Sequence, residues 1–110
     1  MDFETAYRLL INQGMNANQD PDALLSRLGQ GSPPIPGQVT SILLALKMVE
    51  DTLKDETVLE RQLVSSLHQL AYESRQEFER GKQQGVSWPP LLEEDLTRIA
   101  AAVQAIFSGS

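Results

Sequence analysis

There is no cysteine in the 110 residues. Disulfides and thiolate metal sites are therefore excluded, which fits a reducing compartment. Histidine is nearly as scarce, with His68 standing alone. One imidazole without thiolates is too few donors for a zinc site. A di-iron bundle would need Glu-x-x-His on paired helices, and the residue three before His68 is Ser65. Long apolar runs are missing too. Ile42 to Leu46, which no other run exceeds, falls far short of the roughly 18 residues that cross a bilayer. The start, Met1-Asp2-Phe3-Glu4, lacks the basic residues that open a signal peptide. Cations are outnumbered: nine Lys and Arg face fifteen Asp and Glu, for a net charge of −6. Such a chain suits neither nucleic acid nor an anionic membrane surface, and membrane insertion is not expected. The expected setting is the cytoplasm, and the expected partner is a protein, basic if charge guides it.

Catalytic motifs are absent as well. There is no G-x-S-x-G nucleophile elbow, no Asp-rich calcium loop and no phosphate-binding G-x-x-x-x-G-K-[ST]. The nearest fragment, Gly81-Lys82-Gln83-Gln84-Gly85, falls at a helix end. Carboxylates are plentiful, but a pair joined by folding is not visible in a sequence. The expectation is a non-enzyme with no catalytic residue, metal or cofactor.

What the chain does have is helical periodicity. The longest pattern runs from Asp55 to Gly85. Leu59, Leu63, Val64, Leu67, Leu70, Ala71 and Phe78 recur at spacings of three, four and seven, which makes one core-facing stripe. Asp55 suits the start as a cap, and Gly85 suits the left-handed stop. A first helix is expected over 3–14, capped by Asp2 and stopped by Gly14. A short one is expected over 21–28, started by Asp20-Pro21. A third is expected over 38–53, with Val39, Ile42, Leu43, Leu46, Val49 and Leu53 inward. The last is expected over 91–107, with Leu92, Leu96, Ile99, Ala100, Val103, Ile106 and Phe107 inward. Ser108 to Ser110 read as a frayed tail. The connection Lys54-Asp55-Glu56 is short, so the third and long helices should be antiparallel neighbours. The fold class is thus all-α: one domain over 1–110, a mostly antiparallel bundle of four main helices (3–14, 38–53, 56–84, 91–107) plus the short helix.

Several residues sit off these stripes. Leu44 and Met48 point away from the main stripe of their helix, either because that helix is central or because they await a partner. Val58, His68 and Tyr72 are also off-stripe, and could face the first helix or a second copy of the chain in a homodimer. Trp88 precedes Pro89 and Pro90. It reads either as a plug fixing the entry of the last helix or as an exposed anchor, since Trp is enriched among interface hot spots. Trp88, Pro89, Pro90, Leu44, Met48, Val58 and Tyr72 are therefore the candidate protein-binding residues. Pro33 and Pro36 form a minimal P-x-x-P, better explained as a rigid lead-in to the helix that follows.

Two segments, Pro33-Pro-Ile-Pro-Gly-Gln-Val-Thr-Ser-Ile-Leu-Leu-Ala-Leu-Lys47 and Gly85-Val-Ser-Trp-Pro-Pro-Leu-Leu-Glu-Glu-Asp-Leu-Thr-Arg98, resemble those of a family of small acidic all-helical proteins from cyanobacteria. Such sequences are sometimes labelled dethiobiotin synthetase. This chain does not support that label, because it lacks the phosphate-binding loop and is too short for that enzyme's α/β fold. The resemblance implies a cytoplasmic protein of a photosynthetic bacterium. It also implies an adaptor or assembly role on a photosynthetic or carbon-fixing complex. The reading from another functional class is a small-molecule carrier or sensor that holds a ligand between helices.

Overall fold

The computed structural model describes residues 1–109; Ser110, at the end of the expected tail, lies outside the described residues. Helix α1 (Phe3–Gln13) starts as expected: the Asp2 carboxylate accepts the Thr5 backbone N–H at 2.8 Å. That bond holds the Asp2 carboxyl below the ordinary carboxylate range. The helix buries Ala6, Leu10 and Ile11 and ends before Gly14. A Cβ at Gly14 would lie 2.7 Å from the Ser66 carbonyl oxygen, so only glycine permits this helix crossing. The adjacent Met15 N–H donates to Ser66 Oγ at 3.2 Å.

A 3-10 turn (Ala17–Gln19) leads to α2 (Leu24–Gly29), which begins later than the proline suggests. Asp20 Oδ1 accepts the Asp22 N–H at 2.9 Å, a local turn that competes with helix. The cap comes instead from another helix: Gln13 Oε1 accepts the Leu24 N–H at 2.7 Å. Helix α3 (Gln38–Leu53) buries Ile42, Ala45, Leu46 and Val49. It is not surrounded on all sides, because Leu44 is 59% exposed.

The long helix departs from expectation at its start and its middle. Helix α4 covers 61–83 as one continuous rod: Arg61–His68, a wide π-turn over Gln69–Glu73, then Ser74–Gln83. It starts at Arg61 rather than Asp55 or Glu56, and Glu60 is the cap, accepting the Leu63 N–H at 3.2 Å. The Tyr7 hydroxyl also donates to Glu60, at 2.5 Å, and this bond raises the Tyr7 pKa above its ordinary value. In the π-turn the Ser74 N–H reaches back to the Gln69 carbonyl. The Leu70 carbonyl, deprived of that N–H, takes the buried Ser74 hydroxyl instead. The stripe survives, with Leu63, Leu67, Leu70 and Phe78 buried. The far end closes as expected on Gly85, at φ +88°, with the Val86 N–H bonded to the Gly81 carbonyl at 2.8 Å.

Helix α5 (Leu92–Ser108) buries Leu92, Leu96, Ile99, Val103 and Ile106. Phe107, expected inward, is 41% exposed at the last turn. Ser108 is helical rather than frayed, and Gly109 closes the helix at φ +72°.

The five helices form an all-α bundle, four main ones and the short α2. The first main helix meets the second head to tail, Gln38 Nε2 donating to Gln13 Oε1 at 3.0 Å. Arg75 of α4 reaches Glu93 and Thr97 near the start of α5. Helices α1 and α3 thus run in opposite directions, as do α4 and α5. Helix α3 packs on α1 and α5, and α4 packs on α1, α2 and α5. The third and long helices are therefore diagonal rather than neighbours. The chain over 54–60 must cross the end of the bundle, and a tight three-residue turn cannot do so. Among the described residues no helix is long and apolar enough to cross a membrane.

Candidate functional site

Two proline-bearing connectors meet at one end of the bundle. The first, 30–37, is held extended by Pro33, Pro34 and Pro36. Gly37, at φ +85°, then turns it into α3. Ile35 and Gln38 bind one another: the Ile35 N–H donates to Gln38 Oε1 at 3.0 Å and the Gln38 N–H to the Ile35 carbonyl at 2.9 Å. The other end of the Gln38 side chain donates to Gln13 and, at 2.7 Å, to the Asp22 carbonyl. A pair of glutamines thereby locks α1, α2 and the first connector into one rigid junction.

The second connector, 84–91, has an inner and an outer face. Trp88 is on the inner one. Its indole N–H donates to the Phe78 carbonyl at 2.9 Å, and its ring stacks on Phe78 with centroids 6.0 Å apart. It lies directly on Gly81, where a Cβ would be 2.5 Å from the indole. On the outer face are Pro89, Pro90 and Leu91, all exposed. Between the two connectors runs an open groove of about 240 Å³, whose walls include Pro34, Ile35, Val39, Pro89, Leu91 and Asp95.

Leu91 and Ile35 are the exposed large apolar side chains of this groove, at 66% and 39%. Leu91 lies in the turn that leads into α5, with helical dihedrals (φ −93°, ψ −2°), and the Pro89 carbonyl ahead of it accepts the Leu92 N–H at 3.1 Å. Its neighbour Leu92 already fills the core at 2% exposure.

The residues expected to bind a partner are dispersed. Pro89 lines the groove and Pro90 is beside it. Leu44 lies one turn beyond Thr40, a groove residue, on the same outer face of α3. Met48 separates from Leu44 and packs partly against the core. Val58 is 80% exposed in the 54–60 crossing. Tyr72 is 54% exposed and stacks on exposed His68, with centroids 5.3 Å apart. Val58 precedes α4, whereas Tyr72 lies in the π-turn about three turns along it. Ile35 and Leu91, the apolar centre of the groove, were not among the expected residues. One signal for them is the pair Leu91-Leu92 directly ahead of Glu93, Glu94 and Asp95, where the stripe of the last helix takes Leu92 inward and leaves Leu91 off it.

Among the described residues, no three His, Asp or Glu side chains converge as a metal site, and every buried side-chain polar atom has a hydrogen-bond partner. In comparisons with known proteins, no family model matches the chain, and no curated protein or solved structure does.

Proposed function

We propose that the chain is a non-enzymatic protein-interaction module that grips a partner protein through the groove between the two connectors. The observation that carries this reading is Leu91, a leucine left 66% exposed on the groove while its neighbour Leu92 fills the core. The exposed Ile35, Pro36 and Pro89 line the same groove, so the apolar surface is contiguous, as at interaction sites. Gln38 ties the first connector to Gln13 and to the Asp22 carbonyl, so a partner would order little of that wall on binding. Covering the exposed part of Leu91 is worth about 1–2 kcal/mol, with further gain from Ile35 and the prolines. An adaptor or assembly role, on a photosynthetic or carbon-fixing complex in the cytoplasm, is the setting that the two resembling segments favour.

The test compares the chain with its Leu91→Ser variant as bait in extract. Bound proteins are identified by mass spectrometry, purified and titrated back. A partner held at stoichiometric amounts by the parent chain and at least tenfold more weakly by the variant supports the reading. Partners bound equally by both, or none at all, would sink it. A small molecule that raises the melting temperature and shifts Trp88 fluorescence would instead favour a carrier.

A further inference from the structure

A second groove, of about 390 Å³, shares the Ile35–Gly37 wall with the first and opens on its other side. Its floor is polar, with Gln13, Gln38 and Ser41, and its rim carries Asp20 and Asp22. Asp95 lies in the first groove. These three carboxylates are the charged residues lining the two grooves; no Lys or Arg lines either. Asp22 and Asp95 are each partly met by an arginine of this chain, and among the described residues none pairs with Asp20. Arg27 pairs with Asp22 at 3.3 Å and donates to the Pro33 carbonyl at 2.7 Å. Arg98 approaches Asp95 only to 3.9 Å and also pairs with Glu94. Arg8, beyond Asp20, pairs with Glu4 at 2.8 Å.

Building on the docking role proposed above, we infer that the double groove takes a basic segment of another protein. One branched aliphatic side chain of that segment sits between Ile35 and Leu91, and one or two Lys or Arg side chains lie over Asp20 and Asp22. The two kinds of side chain lie close together in that segment, because the two grooves share one wall. The charge argues against other occupants. A second copy brings its own net charge of −6 to the same carboxylates. Nucleic acid and anionic lipid are repelled for the same reason.

The probe is a displayed library of random linear peptides, selected on the full chain at low salt. The leading peptide is then synthesised and titrated by fluorescence anisotropy. The expected winners combine Leu or Ile with nearby Lys or Arg. Their affinity should fall about tenfold in the Asp20→Asn/Asp22→Asn double variant, and by a similar factor at high salt. It should fall at least as far in Leu91→Ser, with Ile35→Ser as a second probe of the same wall. Neutral or acidic winners that depend on Leu91 but ignore Asp20 and Asp22 would overturn the basic-segment inference and leave the docking groove standing. Winners indifferent to both Leu91→Ser and Ile35→Ser, or no enrichment at all, would overturn both. Melting curves of every variant confirm that each is folded.

Discussion

Trp88 and Leu91 are three residues apart on one connector, yet one is turned in and the other out. The inward position is prepared for its occupant. Gly81 leaves bare backbone for the indole to lie on, Phe78 offers a ring face, and its carbonyl accepts the indole N–H. The outward position is prepared for nothing in this chain. Leu92 has filled the adjacent core site, and Leu91 is left 66% exposed. The difference separates two meanings of a large apolar residue next to prolines. Where backbone, ring and carbonyl converge on it, it stabilises the fold. Where none does, its value has to come from outside the molecule.

The largest effect that would break this contrast is at Trp88. Replacement by Ala removes the stacking, the hydrogen bond and the cover over Phe78. A cost of about 3 kcal/mol is expected, or roughly 12–20 °C in melting temperature. Thermal denaturation followed by circular dichroism measures it directly. If the melting point were unchanged, the inward seat would not be structural, and Trp88 would rejoin the contact surface. Gly81→Ala tests the same seat from below. Its new methyl would meet the indole at 2.5 Å and push it off the helix. About 2 kcal/mol should be lost, together with a red shift of Trp88 emission as water reaches the ring. Unshifted emission would show that the ring is not held there.

A smaller effect is expected at the junction beneath the outer face. Gln13 Oε1 accepts from both Leu24 N–H and Gln38 Nε2, so it caps α2 and steadies the wall around Ile35. Gln13→Ala should cost about 1 kcal/mol, the usual value of a lost helix cap. Faster amide hydrogen exchange should appear over 24–31 while α4 keeps its protection. Equal protection loss in both would mean that the cap serves the whole bundle rather than this wall.

The sequence made the bundle legible because its apolar stripes are governed by local periodicity. Leu10 and Ile11, Ile42 and Leu46, Leu63 to Phe78, and Leu92 to Ile106 are buried as their spacing indicates. Ends decided by local chemistry were legible too, at Asp2 and Gly85. Features set by long-range geometry were not. Asp55 has the chemistry of a cap, but the helix waits until Glu60 because α3 and α4 are diagonal. The π-turn leaves no trace in the pattern, since Leu70, Ser74 and Phe78 read as an ordinary spacing of four. The capping of α2 by Gln13 joins residues far apart in the chain. The groove shows the same division. Pro89 could be singled out from its own neighbourhood, whereas Ile35 and Leu91 acquire meaning only when two connectors meet.

The smallest expected effect is the one that sharpens the comparison most. Leu91→Ser removes from the turn before α5 a side chain that is 66% exposed. Little packing is lost, because Leu92 and not Leu91 fills the core. Stability should therefore change by no more than about 0.5 kcal/mol, read as a melting temperature within a few degrees of that of the parent chain. Unchanged stability joined to a loss of partner binding would show that the leucine serves the contact and not the fold. A loss of stability comparable to that of Trp88→Ala would mean that Leu91 packs as the tryptophan does. The distinction between the two faces of the connector would then be gone.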